Sequence, residues 1–242
     1  MKIDFIGTGM MGSLTRGNSS ILVNDEILFD IGSGVLAKLK DMKKDISKIK
    51  YIVITHFHAD HFLDIACFLL MRYIRKEQNE LTLIGPKGLR QKVIDLMYFT
   101  HGDNEPNKYD KIEEKYNLVF QEIDGEKIEL ANFTIQAFSF IHSTCVPCNG
   151  YLLEIGDHKI AYTGDTTECD NLDTLVKESN AIFIDTTVMN TTKAHIGFSR
   201  ILEYAKEYSK KDFYLIHRSD AIPVIEQENM MYPEEGDIVE IN

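Results

Sequence analysis

A short segment rich in histidine, residues 55–61, constrains this chain more than any other feature of its sequence. The segment reads Thr55-His56-Phe57-His58-Ala59-Asp60-His61 and follows the apolar run Tyr51–Ile54, which is typical of a buried strand. It holds three of the 8 histidines in the 242-residue chain, which argues against a surface turn that contains histidine by chance. Histidine and aspartate are the expected ligands of borderline divalent metal ions, so the segment predicts a metal site.

The spacing of these side chains predicts two neighbouring metal ions rather than one. Alternate side chains of an extended segment point the same way, so His56 and His58 would converge on one ion as the chain leaves the strand. Asp60 and His61 begin the next apolar-periodic segment and point toward a second position. Two such ions would lower the pKa of a bridging water and supply hydroxide at neutral pH.

Three isolated residues of ligand type stand farther along the chain, each at the end of a predicted strand. These residues are His142, Asp165 and His217. A single polar residue after a strand is commonplace, but three in this order after the histidine segment indicate one shared site. Strand ends would also hold the three side chains rigidly.

The His-x-His-x-Asp-His pattern and the order of the three later residues resemble the metal-binding motifs of the metallo-β-lactamase superfamily. The resemblance covers nearly the whole chain and implies an α/β (α+β) fold, a four-layer αββα sandwich, with residues 1–242 as a single hydrolase domain. It implies one metal ion on His56, His58 and His142, another on Asp60, His61 and His217, and Asp165 as the bridge. Asp60 would also orient the attacking hydroxide. Zinc is the default metal, with manganese or iron as alternatives, because the set contains no thiolate.

Further segments resemble the tRNA 3′-processing endonucleases (tRNase Z, or ribonuclease Z) and related phosphodiesterases. These segments are Gly7-Thr8-Gly9 with Arg16, Ser19 and Ser20, then Phe29–Gly32, Ile84–Leu89, Gly150-Tyr151 and Gly164–Thr166. His195 falls where that group carries a histidine near the scissile phosphate, so we expect it to protonate the leaving group. An exposed loop histidine is the alternative interpretation of His195.

Two departures from tRNase Z argue against tRNA processing by this chain. The long flexible arm with which tRNase Z grips tRNA precedes the bridging aspartate, but only residues 143–164 separate His142 from Asp165, and two predicted strands fill them. The His-Glu-Ala-Thr signature of tRNase Z appears here as Ile184-Asp185-Thr186-Thr187, whose aspartate could orient His195 with a shorter reach. A small phosphodiester or nucleotide is therefore the predicted substrate, with RNA as an alternative.

The same metal chemistry leaves other functions open. One alternative is a tRNA 3′-processing endonuclease proper, and another is a thioester or lactam hydrolase, since the same hydroxide attacks carbonyl carbon. A metal-binding sensor without turnover is the least favoured alternative, because inactive relatives usually lose ligands and this chain keeps all of them.

Cys145 and Cys148 form a Cys-Val-Pro-Cys segment shortly after His142. Structural zinc needs four ligands, and the two other cysteines of the chain, Cys67 and Cys169, form no second pair of this spacing. We expect reduced thiols in a loop near the site, with a redox pair or a separate zinc site as alternatives.

The local patterns predict two strand-rich halves with helices outside, and hence two sheets packed face to face. A single helix is expected from Phe62 to about Lys76, and the polar stretch 101–114 is expected to be a mobile loop. We interpret the glycine clusters at residues 7–9 and 32–34 as tight turns rather than phosphate-binding loops.

The composition limits the partners of the chain. Its net charge of −12, from 26 basic and 38 acidic residues, disfavours a long track for nucleic acid. No stretch approaches the ~20 apolar residues of a membrane span, and Met1–Ile6 lacks the apolar region of a signal peptide. Four cysteines in a chain of this length do not suggest a disulfide scaffold. We expect a cytoplasmic protein without a membrane partner, for which a homodimer is one compatible assembly.

Overall fold

Two β-sheets packed face to face organise residues 1–101, 108–143 and 146–241, which are the residues that the computed structural model describes. Within them the strands are β1 (Lys2–Gly7), β2 (Ser20–Val23), β3 (Ile27–Phe29), β4 (Tyr51–Val53), β5 (Leu81–Gly85), β6 (Leu118–Glu122), β7 (Lys127–Leu130), β8 (Phe133–Ser143), β9 (Val146–Ile155), β10 (His158–Tyr162), β11 (Ala181–Asp185), β12 (Asp212–Ile216), β13 (Met230–Met231) and β14 (Ile238–Glu240). One sheet has the order β14-β1-β2-β3-β4-β5-β6, and the other has the order β13-β12-β11-β10-β9-β8-β7.

Helices cover the outer face of each sheet. In the described ranges they are α1 (Val35–Asp41), α2 (Ala59–Phe62), α3 (Ile65–Ile74), α4 (Leu89–His101), α5 (Ile112–Tyr116), α6 (Asp170–Glu178) and α7 (Phe198–Glu207), with a short 3-10 turn at Ile46–Lys48. The first five pack on the first sheet, and α6 and α7 pack on the second. The predicted αββα layering is therefore confirmed.

Strands such as β11 are apolar on both faces because each sheet lies between two layers. Phe183 points into the core between the sheets, where its ring lies 5.8 Å from that of Phe5 and stacks at 4.8 Å on Tyr214. Ile182 and Ile184 point the other way, toward α6 and α7. This double burial explains why the apolar runs of the sequence are continuous rather than alternating.

Parallel pairing brings the ligand-type residues to one edge of the sandwich. β3 and β4 run parallel in the first sheet, and β10, β11 and β12 run parallel in the second. The histidine segment follows β4, Asp165 follows β10, and His217 follows β12. The carboxyl ends of parallel strands lie at the same edge of a sheet, so these side chains face one another there.

Two local predictions were wrong in part. α2 and α3 replace the single helix predicted over residues 62–76, because Asp64 bonds outside the helix: its N–H donates to the carbonyl of Ile31 (3.0 Å) and its carboxylate accepts from the N–H of Leu36 (3.0 Å). The predicted loop 101–114 contains the start of α5 and a buried Tyr109, and its residues 102–107 lie outside the described ranges.

No helix in the described part of the chain combines the length and the apolar composition that crossing a membrane requires.

Gly32 lets the turn after β3 lie against the backbone of the histidine segment. Ile31 N–H donates to the carbonyl of His61 (2.8 Å), and Ser33 N–H donates to that of Ala59 (3.1 Å). A Cβ on Gly32 would overlap the carbonyl group of Asp60. The interpretation of this glycine cluster as a tight turn agrees with this close approach and with the positive φ of Gly34 (89°).

We therefore predict that Gly32→Ala lowers the free energy of unfolding by about 1–3 kcal/mol, as overpacking does at a rigid contact. Chemical denaturation followed by circular dichroism measures the change. Ser33→Ala is the matched control, because Ser33 is exposed and should change stability by less than about 0.5 kcal/mol. Equal stability of the two variants would contradict the close approach.

Candidate metal centre

The histidine segment changes conformation between its first and second pairs of ligand-type residues. His56 and His58 lie in the extended chain after β4, and His58 is the residue directly before α2. Asp60 and His61 lie in the single turn of α2. This change of direction is the one that the spacing predicts.

The first cluster consists of His56, His58, His142 and Asp165, whose ligand-type atoms all lie within 4.8 Å of one another. Nδ1 of His58 is 2.9 Å from Nε2 of His56 and 3.2 Å from Nε2 of His142. The pairing of β8 with β9 shifts between Phe140 and Ser143, and His142 lies within that irregularity. Bulges of this kind re-aim side chains, so the shift accounts for the inward position of His142.

The second cluster consists of Asp60, His61 and His217, again within 4.8 Å of one another. Oδ2 of Asp60 lies 3.2 Å from Nε2 of His217 and 3.5 Å from Nε2 of His61. Asp165 stands between the two clusters: its Oδ1 is 3.3 Å from Nε2 of His61, and its Oδ2 is 3.5 Å from Nε2 of His142. The structure thus brings together all seven residues that the sequence nominates as ligands.

Asp30 fixes the orientation of two of these rings. Its Oδ2 accepts a hydrogen bond from Nδ1 of His61 (2.7 Å), and it also accepts from the hydroxyl of Thr55 (2.9 Å). The Thr55 hydroxyl lies 3.0 Å from Nδ1 of His56 and accepts from it. Both rings therefore carry a proton on Nδ1 and turn Nε2 toward the cluster.

Asp185 and Thr187 repeat this arrangement on the second sheet. The Thr187 hydroxyl donates to Oδ1 of Asp185 (2.7 Å) and lies 2.7 Å from Nδ1 of His217. Oδ2 of Asp185 accepts from Nδ1 of His195 (2.7 Å), which is the contact expected from the sequence. Each network thus combines one aspartate, one threonine and two histidines.

Burial and charge set the protonation of the clusters. Burial, followed by the charges of neighbouring imidazoles, lowers the pKa of His56 well below its usual value, and the same causes lower the pKa of His58. Both rings are therefore neutral at pH 7, the form in which imidazole binds a metal ion. Burial favours protonation of Asp60, but hydrogen bonds from His217 and His61 outweigh it and hold the pKa of Asp60 below its ordinary value.

His61 and His217 carry positive charge in this arrangement. Burial lowers the pKa of both rings, but neighbouring carboxylates, Asp165 first, outweigh it. They raise the pKa of His217 to about 10 and that of His61 well above its usual value. A cation between these groups would replace the two protons, so metal uptake would release protons.

Two buried atoms at the centre of the cluster test whether a cation fits there. Among the described residues, Nε2 of His61 and Oδ1 of Asp165 are buried and lack a hydrogen-bond partner, although they lie only 3.3 Å apart. An unsatisfied buried polar atom is costly, and a cation would satisfy both. Imidazole nitrogen and carboxylate oxygen are suitable donors for a divalent metal, so the residues fit one.

His195 lies beside the clusters and differs from their members in its contacts. Burial lowers its pKa, but the hydrogen bond and charge of Asp185 outweigh burial and raise the pKa above its usual value. Its side chain is 19% exposed and lines the cavity at the site. Nitrogen or oxygen atoms of Asp165, His195 and His217 also lie within 4.8 Å of one another, so a role as a ligand is the geometric alternative for His195.

An open cavity of about 420 Å3 gives access to the clusters. Met10 and Met11 form part of its wall, a contribution that sequence reasoning missed. The carboxylate of Asp220 holds the loop that carries them: it accepts from the Ser13 hydroxyl (2.8 Å), and from Leu14 N–H (2.9 Å). A hydrogen bond from Thr15, followed by those from the other loop donors, lowers the pKa of Asp220 to about 2.

Cys148 is a buried thiol next to this site. Its Sγ donates to the backbone carbonyl of Asp165 at 3.1 Å, and burial raises the pKa of the thiol. Cys67, Cys148 and Cys169, the described cysteines, are all free thiols. Cys145 lies outside the described residues, so the expectation for the Cys145–Cys148 pair stays a prediction.

Comparison with known proteins agrees with this geometry. A family model described as anti-Pycsar protein Apyc1 matches residues 1–233. The ribonuclease Z of Sulfurisphaera tokodaii is 30% identical over 229 residues, which cover 81% of this chain and 78% of that protein. The structure of human tRNase Z, short form, matches 100% of both chains with a TM-score of 0.75 at 21% identity. A diphosphatase of the PhnP family matches 98% of this chain and 96% of its own, with a TM-score of 0.74 at 18% identity.

The fold, the two clusters and these relatives define a metal-dependent, phosphodiesterase-like hydrolase of the metallo-β-lactamase superfamily. This is the class that the sequence motifs predict, including the resemblance to tRNase Z, and the prediction is confirmed. Within that class the chain belongs to the family of the anti-Pycsar protein Apyc1.

The Asp30 network generates a prediction about metal affinity. In Asp30→Asn, one carboxylate oxygen is replaced by an NH2 group, which is a donor. This group must face either the Nδ1–H of His61 or the donors of Thr55, from which it cannot accept a hydrogen bond. One histidine therefore loses its orientation. We expect the affinity for Zn²⁺ to fall by roughly 10–100-fold, as is typical when a partner of a metal ligand is changed. Competition with a chromogenic chelator measures the affinity.

Tyr162→Phe is the graded control for this variant. It removes one hydrogen bond to Asp30, of 3.3 Å, and leaves the contacts with His61 and Thr55 in place. The loss of affinity for Zn²⁺ in Tyr162→Phe should be clearly smaller than the loss in Asp30→Asn. Wild-type affinity in Asp30→Asn would show that the two histidines keep their orientation without this carboxylate.

Proposed function

We propose that the chain cleaves a small phosphodiester, such as a diester of a nucleotide, at a centre that holds two divalent metal ions. Zinc is the expected metal, with manganese or iron as alternatives, because the donors are nitrogen and oxygen without thiolate. The proposed ligands are His56, His58 and His142 for one ion, Asp60, His61 and His217 for the other, and Asp165 as the bridge. The two unsatisfied buried atoms, on His61 and Asp165, support this assignment.

The residues around the metals have separate roles in the proposed reaction. Bound divalent cations supply Lewis acidity, which neutralises charge on a phosphoryl group and makes water a nucleophile near neutral pH. The ionised carboxylate of Asp60 accepts a hydrogen bond from the attacking water and orients its oxygen toward phosphorus. As the new oxygen–phosphorus bond forms, the attacking water releases one proton to solvent, the bond to the leaving oxygen breaks, and His195 donates a proton to that oxygen.

The contact between His195 and Asp185 is the observation that carries this proposal. Because Nδ1 of His195 donates to Asp185 at 2.7 Å, Nε2 at the other end of the ring is left for a substrate in the cavity. The same carboxylate raises the pKa of His195, so the ring keeps a proton near neutral pH. A departing alkoxide needs such a proton donor, whereas the thiolate released from a thioester leaves readily without one.

The size of the substrate is inferred from what surrounds the site. β9 and β10 occupy the part of the chain between His142 and Asp165, where tRNase Z carries its arm. The cavity of about 420 Å3 accommodates a nucleotide-sized molecule. The net charge of −12 gives little support to a long polyanion.

RNA is the second candidate substrate, and the 30% identity to a ribonuclease Z favours it. A turnover panel on metal-loaded protein separates the candidates. It contains bis-nitrophenyl phosphate, cyclic nucleotides, a pre-tRNA, a β-lactam and a glutathione thioester. We expect the two small phosphodiester classes to be hydrolysed fastest. Faster cleavage of the pre-tRNA would make the chain a tRNA-processing enzyme, and faster lactam or thioester turnover would reverse the assignment to phosphodiesters.

His195→Ala tests the proposed proton donor. Loss of a general acid typically slows a reaction by ~10²–10⁴-fold, and we expect this loss with alkyl and nucleotide diesters. Nitrophenyl diesters should lose much less activity, because nitrophenolate leaves without protonation. Metal content, measured by elemental analysis, should stay at the wild-type value.

His217→Ala is the matched control, since it removes a proposed ligand from the same network. It should lose metal and slow both kinds of substrate. Loss of metal in His195→Ala, or an equal loss of activity on both substrates, would make His195 a ligand or a phosphate-binding residue instead.

Three further expectations from the sequence stay predictions. They are the cytoplasmic location, the homodimer and the organisation of residues 1–242 as one hydrolase domain. Static light scattering on the purified protein tests the predicted homodimer.

A further inference from the structure

A second cavity, of about 460 Å3, adjoins the metal centre and has a different chemical character. Its apolar lining comprises Phe57, Phe62, Leu63, Leu96, Phe99 and Pro147. Ala59 lines both this cavity and the catalytic one, so the two are direct neighbours. The proposed reaction uses none of the six apolar side chains.

The histidine segment forms the wall between the two cavities. His56 and His58 point to the clusters, whereas Phe57 between them points to the second cavity, as alternation in an extended chain requires. The ring of Phe57 packs edge-on against that of Phe62, with 5.3 Å between their centroids. A group held against Phe57 would therefore lie across the histidine segment from the clusters, and Ala59, which lines both cavities, marks where the two cavities meet.

Phe99 presents an exposed aromatic ring to the second cavity, where contact with water is unfavourable. Its side chain is 86% exposed, and that of the neighbouring Leu63 is 40% exposed. A large exposed aromatic ring at the mouth of an apolar cavity is a feature of binding sites, because a bound ring covers it. Three charged residues, Lys87, Lys92 and Asp95, also line the cavity, and Lys87 pairs with Asp124 at 3.1 Å.

We infer that this cavity binds an aromatic group on the substrate, namely the substituent that stays on phosphorus after cleavage. The inference rests on the proposed function, in which His195 protonates the leaving group. His195 lines the catalytic cavity and not the second one, so the leaving group lies away from the second cavity. The flat aromatic group, such as a nucleobase or an aryl ring, is then the part of the substrate left to fill the apolar space.

The test compares two esters with the same leaving group, phenyl 4-nitrophenyl phosphate and methyl 4-nitrophenyl phosphate. Zinc-loaded wild-type protein should have a lower KM for the phenyl ester. Phe99→Ser and Leu63→Ser should each raise the KM for the phenyl ester roughly 5–10-fold, as expected for loss of an apolar contact with the phenyl ring. The kcat for both esters, and the KM for the methyl ester, should stay within about twofold of wild type.

Ile74→Ser is the matched control, because Ile74 is a 68% exposed apolar residue on α3 that does not line this cavity. Ile74→Ser should leave the KM and the kcat for both esters at the wild-type values. Equal KM values of the wild type for the two esters, or an equal effect of Phe99→Ser on both, would overturn the inference. A change from dimer to monomer in Phe99→Ser by light scattering, with the preference for phenyl unchanged, would instead assign the cavity to an interface between copies.

Calorimetric binding of diphenyl phosphate and dimethyl phosphate to the zinc-loaded protein gives a readout that does not need turnover. We expect tighter binding of the diphenyl ester, and loss of that difference in Phe99→Ser. Selective binding without hydrolysis of any diester would overturn the proposed function and keep only the assignment of an aromatic group to the cavity. Hydrolysis without selective binding would keep the proposed function and overturn the inference about the second cavity.

Discussion

The buried carboxylate of Asp30 is the interaction on which the geometry of the site depends. It accepts hydrogen bonds from the backbone and hydroxyl of Thr55, from Nδ1 of His61, and across the sandwich from the hydroxyl of Tyr162. A fully buried carboxyl group is tolerated only when it is surrounded by hydrogen-bond donors in this way. Because Thr55 and His61 lie at the two ends of the histidine segment and Tyr162 lies in the other sheet, one residue sets both the shape of the segment and its distance from the second sheet.

The second sheet carries an equivalent network, and there the carboxylate has two kinds of partner. Asp185 contacts the Nδ1 atoms of both His217 (3.2 Å) and His195 (2.7 Å). His217 belongs to the second cluster of ligand-type residues, whereas His195 faces the cavity. Their shared partner means that the position of the proposed proton donor and the position of a proposed ligand are not independent. His217 also has a left-handed backbone (φ 50°), which is an uncommon conformation for a non-glycine residue.

The sequence was sufficient to predict what depends on local pattern. The αββα layers follow from apolar periodicity and resemblance, and the seven nominated ligand residues do lie together. What could not be predicted depends on contacts that are remote in sequence. The break before α3 requires Asp64 to reach Leu36, and the wall formed by Met10 requires Asp220 to hold its loop. Asp30 did carry a signal, since an aspartate directly after an apolar strand is costly to bury, but its partners Thr55 and His61 become evident only in the folded chain.

The place of β1 in the first sheet has a consequence for how the protein is made. β1 pairs with β2 on one side and with β14 on the other, and the N-terminal amino group donates to the carbonyl of Ile241. β1 therefore gains its outer neighbour only when residues 238–240 have been synthesised. Such long-range pairing is slow, because a long loop must close before the contact forms. His217 likewise emerges long after His56, so a chain still being synthesised brings together only part of the two clusters.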